Sequence, residues 1–148
     1  MKFVISFVIL SLSTLVFAQP GEVELKAIWD NQVQAIVKLD KAGIRKQCAS
    51  YVAGEWGWVI GLESNEDDWS VDDLVNNADL IFDEELRENL QYGDPSMLEV
   101  VETESGYEVQ LAIFSSFEDE GDVYESAVFI IYSKIEGIWK LSAIQYAG

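Results

Sequence analysis

The chain has 148 residues, of which 27 are Asp or Glu and none is histidine, and this limits the chemistry available to it. Without imidazole, nucleophile systems of the Ser-His and Cys-His type and the usual zinc sites are excluded. A general acid or base must be Asp, Glu, Tyr, Lys or the single cysteine, Cys48. No cofactor and no metal site is predicted, because no phosphate-binding glycine loop follows a strand and the segment starting at Glu63 fails the calcium-loop spacing.

The segment GEWGWVIGLES, residues 54–64, places two tryptophans two positions apart between glycines. Its period of two predicts a strand on which Trp56 and Trp58 share one apolar face with Ile60 and Leu62. Such a face is either the wall of a binding pocket or part of the core. Core packing is favoured, because paired inward aromatics are ordinary in sheets, and the pocket wall stays open as the alternative.

Two predicted strands carry polar and aromatic side chains that could contact a ligand. Over 107–117, polar and aromatic residues alternate with a nearly continuous apolar face, and over 122–133 Glu125 shares a face with apolar residues. A carboxylate among apolar neighbours has a raised pKa and can act as a base, although a solvated strand end is the more common situation. No catalytic residue is assigned. The candidate ligand-binding residues are Trp56, Trp58, Glu108, Gln110, Phe114, Tyr124 and Glu125.

The elements that must position these residues follow from the spacing of apolar residues. A helix is predicted over 22–40, and Asp40 caps a shorter helix over 41–50 in which Cys48 points inward. After an acidic loop, Ser70 and Asp83 cap two further helices. Four strands joined by short turns then form an antiparallel meander, at 97–103, 107–117, 122–133 and 138–146. The order predicts an α+β fold with N-terminal helices packed on a curved antiparallel sheet.

The charge distribution is uneven along the chain. From Glu55 to Glu125 there are 22 acidic residues and one base, Arg87. Such a surface repels nucleic acid and anionic membranes, whose binding depends on Lys and Arg, and nucleic-acid binding is therefore excluded. It favours cationic partners or divalent metal ions, or it serves solubility alone.

The N-terminus has the pattern of a secretory signal peptide over residues 1–18. Lys2 precedes an apolar stretch too short to span a bilayer comfortably, and Val16 and Ala18 give the small-residue pattern of a cleavage site before Gln19. An uncleaved anchor helix is the alternative. We expect an exported protein, periplasmic or secreted, whose mature part is one domain over 19–148 without an intrachain disulfide.

Two passages resemble a known superfamily. They are AIVKLDKAGIRKQCASYV, a helix–Asp–helix–strand passage, and the closing strand GIWKLSAIQY. The combination resembles the nuclear transport factor 2-like superfamily, the cystatin-like α+β cone shared by SnoaL-like cyclases and ketosteroid isomerases. The resemblance implies a sheet curled around a cavity whose mouth lies near the helices, and a homodimer formed through the sheet. No active-site residue of these enzymes maps onto this chain, and its lack of histidine departs from some cyclase-like sites.

The residues favour binding over catalysis. The leading hypothesis is an exported domain that binds a small apolar ligand or a protein partner. One alternative is a carboxylate-based isomerase or cyclase-like enzyme, which requires a buried Asp or Glu opening into an apolar cavity. The other is an acidic interaction module for a cationic partner.

Overall fold

The computed structural model describes residues 18–63, 68–119 and 121–148. The predicted signal peptide, apart from Ala18, lies outside the described residues. Within them, no helix is long and apolar enough to span a membrane.

The described chain is α+β, as the sequence predicts, with N-terminal helices and a C-terminal run of four strands; the short helix α4 and the short strand β2 were not predicted. The helices are α1 Glu22–Ile28, α2 Gln34–Val37, α3 Lys41–Gln47, α4 Trp56–Val59, α5 Val71–Asn76, α6 Ala78–Ile81 and α7 Glu84–Gln91. A π-helical turn, Trp29–Val33, joins α1 to α2, and a 3₁₀ turn, Pro95–Met97, follows α7. The strands are β1 Cys48–Ala53, β2 Asp68–Ser70, β3 Leu98–Thr103, β4 Gly106–Asp119, β5 Asp122–Ile135 and β6 Ile138–Ala147.

Side-chain caps define where three helices begin, as the sequence predicts. An Asp40 carboxylate oxygen accepts the Gly43 N–H at 3.1 Å, which starts α3. The Ser70 hydroxyl accepts the Asp73 N–H at 3.2 Å, and the Asp83 carboxylate accepts the Leu86 N–H at 2.9 Å. Each bond satisfies one backbone donor that the first turn of a helix leaves unpaired.

The six strands form one sheet in the order β2-β1-β6-β5-β4-β3. The predicted C-terminal meander is confirmed, since β3 to β6 pair antiparallel with their sequence neighbours. The sheet is mixed rather than wholly antiparallel, because β1 runs parallel to β6. No hairpin turn links these two strands, and the long connection between them leaves their relative direction free.

The strand predicted over 54–64 is wrong. The strand lies earlier, at Cys48–Ala53, and residues 56–59 form the short helix α4. Gly54 ends the strand with φ +108°, and a Cβ at this position would lie 2.0 Å from the Ile144 carbonyl oxygen. Because only glycine tolerates that backbone and that contact, the chain turns here. The period of two in this segment therefore does not reflect a pleated strand.

The core lies between the helices and one face of the sheet, here called the inner face. Alternation along β4 and β5 puts Val109, Leu111, Ile130 and Tyr132 on that face, and all four are buried. Cys48 is also buried, as predicted for a small hydrophobe, but it begins β1 and does not belong to the helix, which was predicted over 41–50 and ends at Gln47. Burial raises the pKa of its thiol from 9.0 to about 12, so this side chain stays a neutral thiol.

Candidate functional site

A concave cleft opens where α6 and α7 approach the inner face of β4, β5 and β6. Its volume is about 140 Å³. The apolar part of the lining comes from Ile81, Leu86, Ile113 and Val128. The remaining lining residues are Val59, Leu80, Asp83, Glu85, Asn89, Ser115 and Tyr146.

The helix cap at Asp83 fixes one wall of the cleft. By accepting the Leu86 N–H, the Asp83 carboxylate sets the first turn of α7, and Leu86 is buried against the core. On the opposite wall, Ser115 and Ser126 occupy paired positions of β4 and β5, and their hydroxyls share a hydrogen bond of 2.8 Å. The cleft therefore has walls held by a helix cap and by sheet pairing.

Tyr146 places a neutral hydroxyl in the cleft. Burial, and to a smaller degree the charge of Asp83, raises the pKa of Tyr146 to about 12. The phenol therefore remains protonated at neutral pH and can donate a hydrogen bond.

The rim of the cleft combines apolar exposure with negative charge. Val59 is 58% exposed and Leu80 is 59% exposed, which is a large apolar exposure for two neighbouring lining residues. The charged lining residues are Asp83 and Glu85, and neither Lys nor Arg belongs to the lining that the structure describes. The cleft thus favours a group that is apolar at one end and positive at the other.

The two tryptophans that drew attention in the sequence have different environments. Trp56 is fully buried, and its indole N–H donates to the Val52 carbonyl at 3.1 Å, so it is core. Trp58 is 47% exposed and contacts the edge of Trp69, with ring centroids 5.8 Å apart. Neither belongs to the lining of the concave cleft.

The other five candidate residues also lie away from the cleft. Strand alternation and register place four of them, Glu108, Gln110, Phe114 and Glu125, on the sheet face turned away from the helices, here called the outer face. Glu108 accepts a hydrogen bond from the Ser133 hydroxyl at 3.3 Å, and Phe114 is 73% exposed. Tyr124, near the end of β5, is 48% exposed.

None of the residues that line the cleft was among those predicted from the sequence. A signal was present on β4, because the apolar alternation through Leu111 and Ile113 puts Ser115 next on the same face. Val128 lies in the cleft because it pairs with Ile113, and this strand register is known only from the structure. The wall supplied by α6 and α7 depends on tertiary packing that no local pattern contains.

The requirement of the enzyme alternative is not met in the described part of the chain. Among the side chains whose burial the structure describes, the one buried polar or charged residue is Gln32, and no Asp or Glu is buried. Nor do the described residues contain a group of three or more His, Cys, Asp or Glu placed to hold a metal ion.

The outer face of the sheet contains an uncharged area on an otherwise acidic protein. Three neighbouring rows across β4, β5 and β6 carry no charged side chain, and we call them the outer patch. Phe114 contacts the edge of Phe129 there, with centroids 6.4 Å apart. The outer patch comprises Gln110, Ile131 and Ala143, then Ala112, Phe129 and Gln145, then Phe114, Ala127 and Ala147. Ile131 and Ala127 are themselves buried, so the other residues supply the exposed surface of the patch.

No family model and no curated protein matches the sequence. Solved structures similar to the chain include an NTF2-like protein of unknown function from Pseudomonas putida KT2440, at 12% identity and a TM-score of 0.46, covering 85% of this chain and 84% of that one. A second, from Shewanella oneidensis MR-1, has 11% identity and a TM-score of 0.40, covering 82% and 94%. An NTF2-like protein with a cystatin-like fold from Novosphingobium aromaticivorans has 10% identity and a TM-score of 0.40, covering 82% and 80%.

Proposed function

We propose that this chain is a non-catalytic binding domain whose concave cleft accepts one apolar group carried by a cationic ligand. The observation that carries the proposal is the apolar floor of the cleft beneath a rim whose charged residues, Asp83 and Glu85, are both acidic.

The volume of the cleft limits the size of the group. Pockets for drug-sized ligands usually span roughly 300–1,000 Å³, and at about 140 Å³ this cleft is smaller. A cavity of about 150 Å³ lined by aliphatic and aromatic side chains is nevertheless large enough for benzene. A single six-membered ring, or an apolar side chain of similar size, therefore fits, whereas a fused multi-ring ligand does not.

The rim supports the charge of the ligand. A cationic group next to the ring would lie near Asp83 and Glu85, and the Tyr146 hydroxyl would provide a hydrogen-bond donor at the same wall. An anionic group would meet the same carboxylates and the acidic surface around them. The cleft thus unites the apolar-ligand hypothesis with that of a cationic partner.

A matched pair of small ligands tests the proposal, namely benzylammonium and phenylacetate. Both carry one phenyl ring and they differ in charge. For the eight non-hydrogen atoms of benzylammonium, about 0.5 kcal/mol per atom gives a dissociation constant of about 1 mM, measurable by NMR titration. We expect phenylacetate to bind at least tenfold more weakly.

Two adjacent serines of β4 provide the protein control. Ser115→Phe places a ring in the cleft and should abolish benzylammonium binding. Ser116→Phe adds the same ring on the outer face and should leave that binding unchanged. Equal affinity for both ligands, or equal binding by both variants, would contradict the proposal.

A second proposed activity, self-association, is favoured by the outer patch. The chain has a formal net charge of −18, yet the outer patch carries no charged side chain and includes Phe114, 73% exposed. Two copies meeting there would bring apolar surface together without opposing carboxylates at the centre of the contact. Because the rest of each copy is acidic, salt should strengthen such a dimer by screening.

Sedimentation equilibrium at low and high salt tests self-association. We expect a dimer that Phe114→Glu converts to monomer. Tyr92→Glu is the control, since Tyr92 is 86% exposed at the end of α7, away from the outer patch. A monomer at all concentrations and salt levels, or equal dissociation by both variants, would refute self-association.

A further inference from the structure

A groove separate from the concave cleft runs between the N-terminal helices and the start of β6. Its volume is about 440 Å³, within the range of small-molecule sites. Ala27, Ile28, Ile138 and Trp139 supply apolar lining. The polar lining residues are Glu24, Asn31, Gln32, Lys46, Gln47 and Lys140.

The groove has the opposite charge from the concave cleft. Lys46 and Lys140 both line it, and neither forms an ion pair with a described residue. The one carboxylate of the lining, Glu24, is already paired with Lys134 at 2.8 Å and accepts the Trp139 indole N–H at 3.2 Å. These two bonds lower the pKa of Glu24, the Lys134 bond contributing most. On a strongly acidic chain, this groove therefore presents two available cations.

Two residues of the groove lining also carry a buried side-chain oxygen that lacks a hydrogen-bond donor. Gln32 is 9% exposed, and its Nε2 donates to the Trp139 carbonyl at 2.8 Å, while its Oε1 accepts no hydrogen bond. The Gln47 Nε2 donates to the Asn31 carbonyl at 3.0 Å, and its buried Oε1 is likewise without a donor. An unsatisfied buried acceptor is costly and calls for a partner.

Local structure concentrates these groups at one place. Gln32 and Asn31 both belong to the π-helical turn Trp29–Val33, a type of irregularity often found at functional sites. Lys140 donates from Nζ to the Lys46 carbonyl at 2.8 Å, which joins the end of α3 to β6. The two lysines and the two glutamines thus lie on neighbouring walls.

We propose that this groove binds a free amino acid with an apolar side chain. The carboxylate would pair with Lys46 and Lys140. The ammonium would donate to the oxygens of Gln32 and Gln47, which requires these two buried oxygens to become accessible from the groove. The side chain would pack on the apolar lining around Trp139. An apolar amino acid has an anion for the two lysines, hydrogen-bond donors for the two glutamine oxygens and an apolar body for the lining. These are the three partners that the groove residues lack.

Three ligands with one carbon skeleton separate these contributions by calorimetry. Leucine carries both charged groups, 4-methylpentanoate lacks the ammonium, and 3-methylbutylamine lacks the carboxylate. Each missing charged group should weaken binding by roughly tenfold or more. These titrations use the Ser115→Phe variant, because 3-methylbutylamine is also a suitable ligand for the concave cleft. The added phenyl ring fills the cleft and leaves the groove intact.

Variants of single side chains locate the site. Lys140→Gln keeps a donor for the Lys46 carbonyl and removes the charge, so leucine should bind roughly tenfold more weakly. Lys38→Gln removes an exposed lysine outside the groove lining and should change nothing. Gln47→Met should weaken leucine without affecting 4-methylpentanoate.

Two results would overturn the proposal. Gln32 and Gln47 also line a small pocket of about 10 Å³, roughly the size for one water molecule. If a water there satisfies both oxygens, leucine and 4-methylpentanoate will bind equally. No leucine binding at all would overturn it as well, while leaving benzylammonium binding to the wild-type cleft unaffected.

Discussion

Trp56 and Trp58 provide the sharpest energetic test of the structure, because they are two positions apart and differ in burial. Trp56 is fully buried, whereas Trp58 is 47% exposed. A strand with both rings on one face would bury them alike, but the short helix α4 separates them. Replacing each with alanine should therefore give unequal losses of stability.

The expected losses follow from burial. Truncating a buried Trp to Ala typically costs about 3–5 kcal/mol, and Trp56→Ala also leaves the Val52 carbonyl without its indole donor, which adds about 1 kcal/mol. A Trp side chain buries roughly 200 Å² when fully inside, so half-burial of Trp58 at 25 cal/mol per Å² gives an upper bound of about 2.5 kcal/mol. The difference between the variants should be about 2–3 kcal/mol.

Urea denaturation followed by far-UV circular dichroism measures this difference without relying on tryptophan fluorescence. Small domains unfold with total stabilities of about 5–15 kcal/mol, so Trp56→Ala can be too unstable for a native baseline. Trp56→Phe and Trp58→Phe form a milder pair that keeps a ring at each site. With a urea slope of about 2 kcal/mol per M, a loss of about 2 kcal/mol for Trp56→Phe lowers the midpoint by about 1 M. Equal midpoints for the Phe variants, or a larger loss at Trp58, would refute the placement of α4.

Three further results are expected. Gly57→Ala should destabilise the fold by several kcal/mol, because its Cβ would lie 2.1 Å from the Trp69 ring, whereas Gly21→Ala, with nothing within 4 Å, should change the urea midpoint little. Burial raises the pKa of the Cys48 thiol from 9.0 to about 12. This thiol should therefore not affect the free energy of unfolding below about pH 8.5, and that free energy should fall as the pH rises toward 12. The fall should be shallower in Cys48→Ala. The intact mass of the protein from its producing cells should place the N-terminus at Gln19, and a full-length mass would contradict the predicted cleavage of the signal peptide.

The sequence predicts an element correctly where its apolar repeat extends over many residues or where a capping side chain lies next to the helix that it starts. The four strands of the meander and the helices begun by Asp40, Ser70 and Asp83 rest on patterns within a single element, and the structure has them close to the predicted bounds. The segment around Trp56 failed because a period of two over a few residues also fits a short helix between glycines. The conformation there depends on the Gly54 contact with Ile144, which is distant in sequence.

The candidate site was less predictable than the fold. Alternation along β4 puts Phe114 and Ser115 on opposite faces of the sheet. It does not show which of these faces the helices cover near the end of the strand, beyond the apolar centre. The concave cleft needs α7 set by Asp83, and the groove needs Gln32 turned inward by a π-helical turn, which no simple apolar repeat predicts. Both sites are created by contacts between elements far apart in the chain.

Methyl-resolved NMR during a benzylammonium titration would locate the ligand on the protein. We expect the methyl signals of Val128, Leu86 and Ile113 to shift as benzylammonium is added and to shift far less with phenylacetate. The methyl signals of Ile131, on the outer face, should stay unchanged. Shifts that are equal for both ligands, or that are confined to methyl groups outside the cleft, would contradict the proposed binding site.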